Sequence, residues 1–246
     1  MAESILDRRR VLFVHAHPDD ETLATGGLIA ELVARGVRVG VLTATRGEQG
    51  EVVDGPLSHL VGTPQLISRR ERELAAACRV LGVHDHAFLG APSARAEGAE
   101  PRRYTDSGMR WLDETETVAG PGDQAGPDAL TGAPAAELAA DIAAYARAIH
   151  ADALVSYDAH GGYGHPDHVA LHEPSRVAAA ELGVPFWEVA SDPDSTGERI
   201  DTPQLLAVLQ EALRHYASQL TVDDADVVHV GGQRQPIRTS FSLRRR

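Results

Sequence analysis

The chain has 246 residues, of which 43% are hydrophobic and 24% charged, and its formal net charge is −13. That length and balance suit one globular domain with a large core, and the acidity argues against a nucleic-acid partner, because the basic runs are short, such as Arg244, Arg245 and Arg246. A single cysteine, Cys78, excludes an internal disulfide and a Cys-rich zinc knot.

In chain order, residues 11–16 (VLFVHA) form a short apolar run that predicts a buried strand. Residues 25–35 carry apolar side chains at helical spacing, with Gly36 as the C-cap candidate, and residues 37–45 (VRVGVLTAT) predict the next strand. Residues 68–81 (SRRERELAAACRVL) predict a helix with Ser68 at the N-cap and Gly82 at its end. Cys78 sits within that helix among apolar neighbours and reads as a small buried hydrophobe. Residues 86–89 predict a third, short strand.

Residues 90–134 lack periodicity and are rich in Gly, Pro, Ala and acidic residues. Connections this long are usually functional or disordered, and this one is expected to be a long loop over the active site. Beyond it come a helix over 135–150, a buried strand over 153–157 (ALVSY), a helix over 168–182, a strand over 185–189, a long helix over 203–219 and an edge strand over 226–230. Strands alternating with helices predict an α/β, Rossmann-like fold with a mostly parallel sheet flanked by helices. In such sheets the site lies beyond the carboxyl ends of the strands.

Two polar clusters fall at those ends. The first is His15-Ala16-His17-Pro18-Asp19-Asp20-Glu21. His17 and Asp20 lie three apart in a turn entering a helix, a spacing that lets both face one ion while Asp19 points elsewhere, within reach of a water on that ion. The bland alternative for an isolated Asp19 or Asp20 is a helix N-cap. The second cluster is Gly161-Gly162-Tyr163-Gly164-His165-Pro166-Asp167-His168, where three glycines let the backbone wrap tightly around a ligand. His165 and His168 repeat the three-residue spacing. One of them completes a His-Asp-His set and the other is free to serve the substrate. The remaining histidines read as surface or packing residues.

Two imidazoles and a carboxylate leave a catalytic zinc one open position. The metal acidifies water and polarises a carbonyl, and a nearby carboxylate carries the proton, which is the parts list of metal-assisted amide hydrolysis. The same donor set serves non-haem iron oxygenases, but a strand-loop-helix scaffold does not suit their usual barrel. A nucleotide-binding α/β protein is the competing class. Against it, no G-x-G-x-x-G follows the first strand and no G-x-x-x-x-G-K-[ST] is present.

AHPDDE at 16–21 together with GYGHPDH at 162–168 resembles the LmbE/PIG-L family of zinc-dependent de-N-acetylases. The likeness continues in TRGEQGEV (45–52), RRERELAAACRVLGV (69–83), YTDSGM (104–109) and HYASQ (215–219), and it is closest to the actinobacterial mycothiol-pathway branch. That branch includes an N-acetylglucosaminyl-inositol deacetylase and a mycothiol S-conjugate amidase. The resemblance implies a single deacetylase domain over 1–246 that removes an N-acetyl group from an N-acetylglucosaminyl-type substrate, with conjugate or secondary-metabolite amide cleavage as the alternative. It implies one zinc ion per chain, or Fe2+ or another divalent metal, held by His17, Asp20 and His168. Asp19 would be the general base, His165 a cationic stabiliser of the oxyanion, and Tyr163 an aid from a mobile loop. Arg70, Asp106, Met109 and Glu51 would meet the substrate, although Arg70 with Arg69 and Arg72 also reads as a solvated helix face.

One departure stands out. Between Val189 and Pro203 the chain has only the connection SDPDSTGERIDT, where the mycothiol enzymes carry a larger insert, so another sugar remains an open substrate. The expected partner is a small amino sugar, with no nucleic acid and no membrane, and homo-oligomerisation is possible. With no signal-peptide core in MAESILDRRR and no apolar run of about 18 residues, the expected location is cytoplasmic.

Overall fold

The computed structural model describes residues 3–113, 115, 118–192 and 195–246. Glu114, Glu116 and Thr117 of the expected 90–134 loop lie outside the described residues, as do Met1, Ala2, Pro193 and Asp194. In chain order the elements are β1 (Arg10–His15), α1 (Asp20–Ala34), β2 (Arg38–Thr43), α2 (Pro64–Leu81), β3 (Asp85–Phe88), β4 (Arg110–Trp111), β5 (Ala119–Gly120), α3 (Ala135–Ala148), β6 (Ala153–Tyr157), α4 (Pro166–Leu182) and β7 (Phe186–Val189). They are followed by β8 (Glu198–Asp201), α5 (Leu206–Arg214), β9 (Leu220–Asp223), β10 (Asp226–His229), β11 (Arg234–Pro236) and β12 (Ser240–Arg245).

Seven strands form the main sheet in the order β3-β2-β1-β6-β7-β12-β8. The first five run parallel, and β12 pairs antiparallel with both β7 and β8. This is the expected α/β architecture, with an antiparallel margin. In β1 the apolar run reads through without alternation because both faces are covered. Val11 and Phe13 join one core with side chains of α1, α2 and α5, while Leu12 and Val14 join a second core with α3 and α4. Opposite faces for alternate residues follow from the strand's period of two.

After β1 the chain passes through α1 to β2 on one side, while β6 lies on the other side of β1. Between β1 and β6 the strand order therefore reverses. The crevice beyond their carboxyl ends is where such sheets take ligands, and His15 and Tyr157 are the last residues of those two strands.

The helices begin earlier than the apolar periodicity indicates. α1 starts at Asp20 rather than at 25, because a first turn of Asp20 and Glu21 suits the positive end of the helix dipole without being apolar. α2 starts at Pro64, a residue whose fixed φ suits the first turn, and ends as expected at Gly82 in the left-handed conformation (φ +75°).

The single long helix over 203–219 is replaced by a 3-10 turn (Pro203–Leu205) and α5, which stops at Arg214. Tyr216 is drawn fully into the core, where its hydroxyl donates to Glu21, and the backbone turns there with Gln219 N and Leu220 N donating to Tyr216 O. Residues 226–229 are not an edge of the main sheet. β10 is the middle strand of a separate antiparallel sheet, β11-β10-β9. Among the described residues no helix is long and apolar enough to cross a membrane.

Candidate active site

Asp19 occupies the N-cap position of α1 with φ +105° and ψ −32°, and its side chain makes no capping hydrogen bond. A non-glycine residue with positive φ is strained by roughly 1–3 kcal/mol. This sets aside the N-cap alternative: the carboxylate is directed into the crevice, where Asp19 Oδ2 lies 3.3 Å from Arg70 Nη2. Burial foremost, opposed by Arg70 and reinforced by Asp20, pushes the Asp19 carboxyl up to about 8.

Asp20, one residue on, faces the opposite way. Its Oδ2 accepts from His17 N (2.8 Å) and from the Tyr157 hydroxyl (2.8 Å). The same oxygen lies 3.2 Å from His17 Nδ1 and 3.2 Å from His168 Nε2. The outer nitrogen of each imidazole is engaged elsewhere. His17 Nε2 lies 3.1 Å from Asp167 Oδ2, and His168 Nδ1 lies 3.2 Å from Gly161 O. Both of those partners are acceptors, so the outer nitrogens carry the protons and the inner ones present lone pairs.

Two nitrogen lone pairs and a carboxylate oxygen thus converge from two loops about 150 residues apart. His168 Nε2 is buried without a hydrogen-bond partner among the described residues. A cation satisfies three converging acceptors, and a histidine that donates its far nitrogen to a carboxylate or carbonyl is the usual state of a metal ligand. The residues present therefore fit a divalent ion of the imidazole-carboxylate type. Without an ion, the same carboxylates favour protons on the imidazoles, which a divalent ion would have to displace. Burial pulls His17 down, but Asp106 first, with hydrogen bonds donated to Asp167 and Asp20, raises its pKa well above the ordinary value. Burial pushes Asp20 up, but His168 and then His17 hold it well below the usual carboxylate range.

His165 joins the cluster, and ligand atoms of His17, His165 and His168 lie within 4.8 Å of one another. It caps α4, its Nδ1 accepting from Asp167 N at 3.2 Å. That leaves the proton on Nε2, and burial, then the charges of His17 and His168, push its pKa down to about 4. The cationic form expected for it is thereby disfavoured, and a neutral N–H donor remains. Tyr163 is 61% exposed at the rim, its ring centroid 5.9 Å from that of His165 and 5.3 Å from that of His168.

The four expected substrate contacts separate into two pairs. Arg70 is buried, with Nη1 donating to Gly47 O (2.7 Å) and Nη2 to Pro18 O (2.8 Å). Asp106 is also buried; its Oδ1 accepts from Gly108 N (2.7 Å) and lies 3.6 Å from His17 Nε2, and its Oδ2 accepts from Gln49 N (3.2 Å). Both border the cluster. Glu51 is exposed and Met109 half-buried, and among the described residues no hydrogen bond or ion pair joins either to the cluster.

Sequence reasoning missed three supporting groups. Asp167 Oδ2 accepts from Ser107 N (2.9 Å) as well as facing His17. The Tyr157 hydroxyl accepts from Ala16 N (2.9 Å) while donating to Asp20, and its ring stacks on His168 with centroids 4.1 Å apart. Glu21 is buried behind the site and pushed up to about 7, chiefly by burial. The available signal was positional: Asp167 repeats the His-Pro-Asp of the first motif, and Tyr157 ends a strand at the site's rim.

A family model described as GlcNAc-PI de-N-acetylase (PIG-L) matches residues 12–179. The chain is 46% identical over 165 residues to a protein of Kineococcus radiotolerans named 1D-myo-inositol 2-acetamido-2-deoxy-alpha-D-glucopyranoside deacetylase, covering 67% of this chain and 43% of the relative. A protein of the same name from Kribbella flavida is 42% identical over 197 residues, covering 76% and 61%. The chain thus spans about half the length of the curated relatives it matches. Among solved structures, an N,N'-diacetylchitobiose deacetylase from Pyrococcus horikoshii shares the fold with a TM-score of 0.63 and 19% identity, covering 98% of this chain and 84% of that one.

Proposed function

The chain belongs to the PIG-L family of GlcNAc-PI de-N-acetylases, and on that premise we propose that it is a metal-dependent hydrolase removing the N-acetyl group of an N-acetylglucosaminyl compound. The observation that carries this reading is the meeting of His17 Nδ1, His168 Nε2 and Asp20 Oδ2 beside a strained, uncapping Asp19. The names of the relatives favour a glucosaminyl-inositol substrate as the first to test.

In this reading His17, Asp20 and His168 hold one zinc ion. Zinc bound there would polarise the amide carbonyl and bring a water's pKa near 7. Asp19 takes the proton from the attacking water and returns it to the departing amine, so that acetate and a free amino sugar leave. A carboxyl held near neutrality suits both transfers. Its φ of +105° and Arg70 keep it directed into the crevice. His165 offers a neutral Nε2–H to the oxygen on which negative charge develops, supported by the engagement of its Nδ1 with Asp167 N. Tyr163, at the open rim, approaches the same oxygen from outside.

We assign the whole of 1–246 to one deacetylase domain, with 90–134 as its active-site loop. The support is that Asp106 and Ser107 reach His17 and Asp167 from that stretch. We take Arg70 and Asp106, which border the cluster, to bound the sugar pocket, and we retain exposed Glu51 and half-buried Met109 as expected substrate contacts.

The test is metal analysis of the purified protein with an acetate-release assay over N-acetylglucosaminyl substrates, inositol-linked ones included. We expect about one zinc per chain and stoichiometric acetate. Acetate release that persists undiminished after exhaustive chelation overturns the reading.

A further inference from the structure

Among the described residues His168 Nδ1 is aligned by a single acceptor, Gly161 O, at 3.2 Å. That carbonyl belongs to a loop with little stiffness of its own, since Gly161, Gly162 and Gly164 all have positive φ. Something outside the loop must hold it, and a chain of hydrogen bonds does so.

Asp158, one residue past the end of β6, is 4% exposed. Its backbone O accepts from Gly161 N at 2.9 Å. Its Oδ1 accepts from His160 N (3.1 Å) and the Ser191 hydroxyl (2.5 Å). Its Oδ2 accepts from Ser191 N (2.8 Å) and Arg244 Nη2 (3.0 Å). Ser191 Oγ in turn accepts from Gly162 N at 3.0 Å. The loop is thereby pinned on both sides of the Gly161–Gly162 peptide, whose carbonyl is the one His168 uses. Space is restricted as well: a Cβ at Gly161 would lie 2.8 Å from Val169 N and 3.1 Å from His168 Cβ. The third component, Arg244, comes from β12, the antiparallel strand beside β7, so this clamp joins the sheet's margin to the proposed metal centre.

We propose that Asp158, Ser191 and Arg244 are positioning residues that fix the 161–164 loop and, through Gly161 O, set the orientation of His168 toward the metal. The inference rests on the metal-site reading above. Outer partners of metal-bound histidines typically tune affinity by 10–100-fold, and the clamp acts one bond farther out.

The test compares Ser191→Ala, which removes one hydroxyl, and Asp158→Asn with the wild type. Ser240→Ala is the control, since that side chain sits on β12 but bonds Asp201, away from the loop. Zinc alone is titrated against a fluorescent chelator, and amide hydrogen exchange of residues 160–164 is followed in chelated protein. We expect the zinc Kd to rise roughly tenfold in Ser191→Ala and more in Asp158→Asn, with faster exchange confined to 160–164. Ser240→Ala should match wild type. Arg244→Lys should recover most of the affinity lost in Arg244→Ala.

A residue that merely stabilises the fold would lower the melting temperature without moving Kd. A zinc Kd within twofold of wild type in both Ser191→Ala and Asp158→Asn overturns the proposal, whatever the exchange shows. A wild type that binds no zinc sinks the metal reading instead. The clamp is then decided by exchange alone, and unchanged rates at 160–164 in both variants overturn it too.

Discussion

Replacing Asp19 by glycine and by alanine separates what this residue does for the reaction from what it costs the fold. Both variants lose the same carboxylate and the same contact with Arg70, so their difference isolates the backbone at φ +105°, ψ −32°. At an unstrained site alanine is the more stabilising of the two, by about 0.4–1 kcal/mol through the unfolded chain. Here the Cβ meets a steric penalty of about 1–3 kcal/mol that glycine avoids. The net expectation is that Asp19→Gly is more stable than Asp19→Ala by about 1 kcal/mol. For a chain of this size that is a difference of about 2–4 °C in Tm. Thermal unfolding by circular dichroism, with metal chelated so that binding does not contribute, reads it directly. Both variants should retain zinc while acetate release falls by roughly 10²–10⁴. If Asp19→Ala proves as stable as Asp19→Gly, the strain argument fails. If either variant keeps near-wild-type turnover, the general-base assignment fails.

Other substitutions probe the surroundings. His17→Ala and His168→Ala should each abolish stoichiometric zinc, measured by atomic emission; full occupancy in either contradicts the ligand set. Tyr157→Phe leaves Ala16 N and Asp20 Oδ2 each short of a buried partner, so chemical denaturation should show a loss of about 1–3 kcal/mol. An unchanged midpoint and slope would mean that water replaces the hydroxyl. Gly47→Ala would set a Cβ 1.9 Å from Arg70 Nη1 on a backbone of φ +66°, and it should lower both stability and kcat; a silent variant would show that Arg70 is free to move. Glu21 is raised from 4.5 to about 7. Its protonated form therefore contributes stability fully present below pH 4.5 and lost as pH rises through 7. In chelated protein Glu21→Gln, which stays neutral, should remove up to about 3 kcal/mol of the stability change between pH 4.5 and 8. Identical pH profiles for the two proteins would refute the shift.

Much of the proposed site was legible because its expected ligands come in two short motifs that each follow a buried apolar run, 11–16 and 153–157. Runs buried on both faces need no periodicity to be read as strands, and the parallel topology then brings their carboxyl ends together. The supporting groups were less visible. Asp167, Tyr157 and Ser191 act through contacts across the fold, which spacing along the chain does not encode. Arg70 illustrates the point: beside Arg69 and Arg72 it reads as part of a solvated face, yet the guanidinium is buried because Gly47 and Gly50 leave room for it. β12 escaped notice because its Ser-Phe-Ser-Leu-Arg-Arg run has too few apolar residues to stand out. It becomes a strand through pairing with β7 and β8, a long-range effect that overrides local propensity. The misplaced end of α5 has the same origin, since Tyr216 leaves the helix to reach Glu21.

The place of β12 also bears on how the protein can be cut or synthesised. Among the described residues β8 pairs with the main sheet only through β12, although it precedes that strand by almost forty residues. A chain interrupted anywhere before Ser240 would leave β8 undocked and the flank of β7 with unsatisfied amides and carbonyls, an open template for pairing with other molecules. During translation that flank stays bare until the 240–245 segment has emerged. Shortened versions of this protein are therefore expected to aggregate even where every residue of the proposed site is retained.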